Sequence, residues 1–370
     1  MLGESLNIVK YHDEKSGVKM RSSFKLLKVF GIPIELHISF LFLILFIYIM
    51  AFLNFIQIQV AVLITLLFVT VVIHELSHSY VALKYGVAIE RIILLPIGGV
   101  SQMEEIPKNP VQELWISIAG PMTNFFIAGI FYIILIGVQG LVPLVYSSFI
   151  YDFVLVNLVL GGFNMLPAFP MDGGRILRSI LAKRMNFIRA TELSATIGKQ
   201  LAIIMGIVGL LLLFNPFLVL VALFVYIGAD QEYKSTVISS LLEDVFVKDI
   251  MTKEVKSFNP DTTIDDALKT MYQERHMGYP VLHRGKLVGI VTFHDISNVP
   301  DTKRNIKIKE IMTEKVITSE PEEGVVDTLN KLNMNNIGRV PVIKDEKLVG
   351  IISKTDIMKI LEILSQKKSE

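Results

Sequence analysis

The chain has 370 residues, enough for two or three soluble domains, yet 52% of them are hydrophobic and only 19% are charged. Its net charge of +1 supplies no pull toward nucleic acid, which is not expected as a partner. With no cysteine the chain can form neither a disulfide nor a thiolate metal site, so any metal must be held by His, Asp or Glu.

The average conceals an uneven distribution. No Asp, Glu, Lys or Arg occurs in 36–74, 114–151, 153–171 or 200–229, and the charges gather mainly after Gln231. A helix needs roughly 20 apolar residues to cross a bilayer. The expected fold class is therefore a polytopic α-helical membrane domain followed by a soluble α/β tail, in a multi-pass protein of the cell membrane.

In chain order, residues 1–20 are polar and mixed in charge, without the apolar core of a cleavable signal peptide, and either Met1 or Met20 can be the start. Residues 1–29 read as an N-terminal cytoplasmic segment and 30–235 as the membrane domain. Apolar length and turn residues predict about six transmembrane helices, near 38–55, 59–85, 114–135, 149–162, 190–213 and 216–233. With the N-terminus inside, the outer connections contain no Lys or Arg. The inner segments carry Arg21, Lys25 and Lys28, then Lys84, Arg91 and Lys108, then Arg175, Arg178, Lys183, Arg184 and Arg189. That bias places the N-terminus and the tail in the cytoplasm.

Near the end of the second span stands His74-Glu75-Leu76-Ser77-His78. On a helix, positions i and i+4 share a face, so two imidazoles can hold one Zn²⁺ with Glu75 beside them. A structural metal or a buried polar pair are the other readings. A carboxylate at membrane depth is costly unless it works or is paired, which favours a zinc site. The run 92–100 follows on the cytoplasmic side and ends in Gly98-Gly99. It suits an edge strand that accepts an extended substrate, with Leu95, Ile97, Gly98 and Gly99 as candidate contacts; a buried loop is the alternative. In the third span, Gly120, Pro121 and Asn124 are expected to shape helix packing.

A catalytic zinc wants a third protein ligand and one open position. His37 lies near the start of the first span and Asp152 near the opposite membrane face. Asp172 is better placed, after the fourth span, in Asn164-Met165-Leu166-Pro167-Ala168-Phe169-Pro170-Met171-Asp172-Gly173-Gly174. Two prolines and two glycines break the helix there, and broken backbone at membrane depth is tolerated only inside protein or beside a wet cavity. The plain alternative is Asp172 capping the helix that follows.

His74-Glu75-x-x-His78, Asn164-x-x-Pro167 and Asp172-Gly173, with Leu95-Pro96-Ile97-Gly98-Gly99 and Gly120-Pro121-Met122-Thr123-Asn124, resemble the site-2 proteases, the intramembrane zinc metalloproteases. The resemblance implies hydrolysis of peptide bonds in or near transmembrane segments of membrane-protein substrates, as in regulated intramembrane proteolysis. One Zn²⁺ per chain, held by His74, His78 and Asp172, would acidify water and polarise a peptide carbonyl. Glu75 would take the water's proton and return it to the leaving amine. The resemblance assigns oxyanion stabilisation to Asn164.

The tail repeats itself at an offset of 61 residues: Lys248-Asp249-Ile250-Met251-Thr252 matches Lys309-Glu310-Ile311-Met312-Thr313, and Lys286-Leu287-Val288-Gly289-Ile290 matches Lys347-Leu348-Val349-Gly350-Ile351. Each unit reads as helix, strand pair, helix. The pattern resembles a tandem pair of CBS domains, 244–301 and 305–366, whose clefts often hold adenine nucleotides. The resemblance implies ATP or AMP at Thr292 with Asp295 and at Ser353 with Asp356, a nucleotide-sensing or gating role, and a homodimer formed through the tail. Helix capping is the plainer reading of those four residues.

Two other functions fit six spans and such a tail. A transporter or channel predicts polar residues spread over several helices or repeated halves, whereas here they concentrate around one motif. A catalytically silent relative would most simply have lost Glu75 or a ligand, and neither is lost.

Overall fold

The structure is a computed structural model that describes residues 23–96, 98–103, 107–138, 140–141, 143–300 and 304–367. These divide into two compact units, one ending at Thr236 and the other beginning at Val237. The first contains β1 (Ser23–Val29), β2 (Ile32–His37), α1 (Ile38–Phe52), α2 (Ile58–Lys84), β3 (Ile89–Leu95), β4 (Gly98–Met103), α3 (Pro110–Val138), α4 (Leu144–Asn164), α5 (Asp172–Ala182), α6 (Phe187–Ile207) and α7 (Pro216–Leu241). A π-helical turn, Val208–Leu212, extends α6, and the last residues of α7 belong to the second unit.

Among the described residues, five helices are long and apolar enough to cross a membrane: α2, α3, α4, α7 and α6 with its π turn. The first of the six predicted spans, α1, is apolar but has only 15 residues. At 1.5 Å per residue it reaches about 22 Å, short of the ~30 Å hydrocarbon layer.

The buried stripes of α2 and α6 are small and polar rather than bulky. On α2 they include Ala61, Thr70, His74, His78, Ser79 and Ala82; on α6, Ala190, Thr191, Ser194, Ala195, Gly198 and Ala202. The large apolar side chains, such as Phe126, Ile133, Leu211 and Phe224, face outward. Lipid tails are as apolar as leucine, so helices in a bilayer gain little by hiding leucines from them. They associate where small residues let backbones approach and polar groups find partners.

The strands form one sheet in the order β1-β2-β3-β4, with β2 and β3 parallel and the outer pairs antiparallel. A parallel pair needs a crossover, here supplied by α1 and α2. The run 92–100 is therefore not a single edge strand. Ile92, Ile93 and Leu94 are buried in β3, between β2 and β4. The chain then turns back, so β4 rather than β3 forms that edge of the sheet, opposite the β1 edge.

The second unit holds α8 (Val247–Ile250), α9 (Ile264–Glu274), β5 (Gly278–His283), β6 (Lys286–Thr292), α10 (Phe293–Ser297), a 3-10 turn (Ile308–Glu310), α11 (Val325–Met334), β7 (Arg339–Lys344), β8 (Lys347–Ser353) and α12 (Lys354–Lys367). The two hairpins have the same register, with matching bulges at Val281/Leu282 and Val342/Ile343. The repeats clasp each other reciprocally: Thr252 bridges to Ile351 and Thr313 to Ile290. Met312 packs so closely on Gly289 that a Cβ there would lie 2.6 Å from its sulfur, and Met251 does the same to Gly350 at 2.5 Å. Each repeat thus completes its partner's core, the physical reason for a tandem pair.

Candidate active site

Helix α2 carries His74 and His78 one turn apart on its buried face, and α5 begins with Asp172. His74 Nε2 and His78 Nε2 lie 3.0 Å apart, and each is 3.2 Å from Asp172 Oδ2. Among the described residues these three form the group whose ligand atoms converge, all within 4.8 Å. The carboxylate does not cap α5: the N-cap is Met171, without a side-chain cap bond, and the oxygen of Asp172 is turned to the histidines. Its place in the first turn also suits a negative charge at a helix N-terminus.

The other imidazole nitrogens are tied. His78 Nδ1 donates to the backbone oxygen of Ile116 at 2.6 Å, and His74 Nδ1 donates to Asn124 Oδ1 at 2.5 Å. With both Nδ1 atoms protonated, each Nε2 presents a lone pair. Two such lone pairs and a carboxylate oxygen at 3.0–3.2 Å repel one another unless a cation lies among them. Ligands 2.0–2.2 Å from one tetrahedral ion lie roughly 3.3 Å apart, close to these separations. Gly120 leaves the space: a Cβ there would fall 2.2 Å from His78 Nε2 and 2.6 Å from His74 Nε2. Donor set and cradle both fit Zn²⁺.

Glu75 is half-buried and within electrostatic reach of His74, His78, Asp172 and Arg175. Strand β4 runs past it. A Cβ on Gly99 would lie 2.7 Å from Glu75 Cγ, and Ser101 Oγ is 3.1 Å from Ser79 Oγ on the next turn of α2. The sheet edge is thus pinned along the helix that carries the carboxylate. Leu95 closes β3 and Gly98 opens β4, while Ile97 lies outside the described residues.

The loop before Asp172 is held from several sides. Ala168 and Phe169 are fully buried, and Gly198 of α6 and Gly228 of α7 make room for Ala168 and Pro170. Arg178, on the same short helix as Asp172, is buried between two acids. It donates through Nε to Glu113 Oε1 at 2.8 Å and through Nη1 to Glu232 Oε1 at 2.9 Å. Its guanidinium also lies over the rings of Phe169 and Phe187. The Asn164 amide donates to Leu160 O at 3.1 Å, its one hydrogen-bond partner among the described residues.

Peptidase family M50 matches residues 62–152 and 142–213, and the CBS domain matches 247–300 and 308–363. A zinc metalloprotease of Methanocaldococcus jannaschii is 45% identical over 359 residues, covering 94% of this chain and 99% of that protein. The chain belongs to peptidase family M50, the site-2 proteases. Rip3 of Mycobacterium tuberculosis is 28% identical over 80% of this chain and 79% of its own length. The solved site-2 protease from Methanocaldococcus jannaschii is 49% identical, covering 57% of this chain and 95% of that one with a TM-score of 0.43. This M50 protein is accordingly a zinc metalloprotease, a multi-pass membrane protein with a tandem CBS tail.

In the tail of the protease, the residues predicted to meet nucleotide form two equivalent capping boxes. Asp295 Oδ2 accepts from Thr292 N and Oγ1 at 2.8 and 2.7 Å; Asp356 Oδ2 accepts from Ser353 N and Oγ at 3.0 and 2.7 Å. Sequence reasoning missed the roles of Gly120 and Asn124, which pack on the histidines, and of Asn157 and Arg178. One signal was available: Gly120 and Asn124 have the same i, i+4 spacing as His74 and His78, so they share a face of α3.

Proposed function

We propose that this M50 protease hydrolyses peptide bonds in or near transmembrane segments of membrane-protein substrates, in regulated intramembrane proteolysis. The observation that carries the reading is the convergence of His74, His78 and Asp172 beside Glu75, between helices apolar enough to cross a membrane. His74, His78 and Asp172 would hold one Zn²⁺, which when bound supplies a Lewis acid for the peptide carbonyl and acidifies water. Glu75 takes the proton of the attacking water and returns it to the leaving amine. Asn164 serves as oxyanion donor through the amide hydrogen that Leu160 O does not use.

A substrate helix must be unwound before its peptide bond is accessible. The edge strand β4 offers backbone groups to an extended segment beside Glu75, with Leu95, Ile97, Gly98 and Gly99 as its candidate contacts. The absence of Lys and Arg from the outer connections supports a cytoplasmic N-terminus and tail. The CBS pair then senses an adenine nucleotide, ATP or AMP, through Thr292, Asp295, Ser353 and Asp356, and forms the homodimer contact.

The test is co-expression with a panel of single-span membrane proteins, comparing wild type with Glu75→Gln. Cleavage is expected with wild type alone, and equal processing by both forms sinks the reading.

A further inference from the structure

We infer that Asn124 and Asn157 form a relay that holds His74 in the tautomer and orientation a metal ligand needs. The inference rests on the zinc reading above and concerns two residues outside the ligand and base motifs. Both are fully buried, Asn124 on α3 and Asn157 on α4. Burying an amide without partners costs several kcal/mol, so each must be hydrogen-bonded.

The relay starts at the backbone oxygen of Phe153, which can only accept. Asn157 Nδ2 donates to it at 2.8 Å, one turn back along α4, and this turns Asn157 Oδ1 toward α3. Asn124 Nδ2 faces that oxygen at 3.5 Å, a long contact whose polarity is set because Oδ1 cannot donate. Asn124 Oδ1 is then the atom that meets His74 Nδ1. Two acceptors cannot face each other at that separation, so Nδ1 carries the proton and Nε2 keeps its lone pair, directed at His78 Nε2 and Asp172 Oδ2. His78 reaches the same state in one step through Ile116 O, whereas His74 reaches a backbone carbonyl only through two amides. Gly161 gives Asn124 its room, since a Cβ there would lie 3.2 Å from Asn124 Cβ. Metal-bound histidines are commonly fixed in this way through their second nitrogen.

A mere staple between α3 and α4 would need the donor of Asn124 and not its acceptor, which separates the two roles. The measurements are Zn²⁺ affinity of the purified full-length protein by competition with a chromogenic chelator, and the visible spectrum of the Co²⁺-loaded protein. One Zn²⁺ per chain, lost in His74→Ala, is the reference; its absence in wild type refutes the zinc reading itself. Asn124→Leu is expected to weaken Zn²⁺ binding by about 10–100-fold. Asn124→Asp keeps the acceptor and is expected to bind within about threefold of wild type, although it loses the donor to Asn157. Asn157→Leu is expected to fall between them and to alter the Co²⁺ spectrum. Wild-type affinity in Asn124→Leu overturns the relay, as does a loss in Asn124→Asp as large as that range. Should Asn124→Leu fail to fold, Asn157→Leu decides: unchanged affinity and spectrum overturn the inference, and weakened binding supports it.

Discussion

Gly120 lies against His78 so closely that a methyl group on its Cα would sit 2.2 Å from His78 Nε2. The space a side chain would occupy is the space a metal needs. Gly120→Ala is therefore expected to weaken Zn²⁺ binding by about 10–100-fold or more, an effect at least as large as that of disturbing a ligand's hydrogen-bond partner. Metal analysis after dialysis against a chelator measures it. Zinc retained at wild-type level would mean that the three ligand atoms close around the ion differently.

Glu75 is not among the three converging ligand residues. Glu75→Gln preserves shape and removes the base. Cleavage is expected to fall by about 10²–10⁴-fold, with zinc stoichiometry unchanged. A parallel loss of zinc and activity would make Glu75 a ligand instead.

Strand β4 passes Glu75 at Gly99, where a Cβ would lie 2.7 Å from Glu75 Cγ. Gly99→Val must displace either the strand or the carboxylate. Because a 1 Å misplacement of reacting groups costs about 10²-fold, turnover is expected to fall by that order while zinc binding persists. Unaltered turnover on a membrane substrate would separate β4 from the chemistry.

Arg178 pairs with two acids, Glu113 and Glu232, from a side chain that is 4% exposed. Removing one partner of a buried ion pair typically costs about 3–5 kcal/mol, because it strands the other charge. Arg178→Met is expected to lower the thermal unfolding temperature in detergent and, through α5, to weaken zinc binding at Asp172. Adding Glu113→Gln and Glu232→Gln should recover part of the stability. No recovery would argue that the stacking on Phe169 and Phe187 matters more than charge.

Asp295 and Asp356 hold equivalent capping boxes. Replacing either by Ala removes the third helical residue of the box and is expected to destabilise the tail by about 0.3–1.5 kcal/mol, similarly in the two repeats. Titration with ATP or AMP distinguishes a further role: saturable binding by wild type that is lost in both variants supports nucleotide sensing, and no binding by wild type makes the residues purely structural.

Where apolar length and repetition carried the signal, the sequence was legible. Long charge-free runs became α2, α3, α4, α6 and α7, and the 61-residue offset became two hairpins with the same bulge. The His-Glu-x-x-His pattern was legible because both histidines lie on one helix, where spacing alone sets their shared face. The sheet was not. Strands β1 to β4 are brief, and the run 92–100 has the same β-branched composition whether it forms one strand or the two sides of a hairpin. Which side becomes the edge depends on β2, brought alongside β3 from more than fifty residues away.

By itself, then, the sequence determined the membrane helices, the tandem tail and the residue types available to a metal, because hydropathy, period and i, i+4 spacing are local properties of the chain. Only the tertiary structure decided which donors meet. Asp172 could cap α5 or face the histidines, and Asn124 could pack a helix or hold His74. Those choices depend on distances between atoms dozens of residues apart, set by Gly120, Gly161 and Gly228 and by the buried Arg178 pair. No local pattern encodes such distances; they emerge only when α2, α3, α4 and α5 pack together.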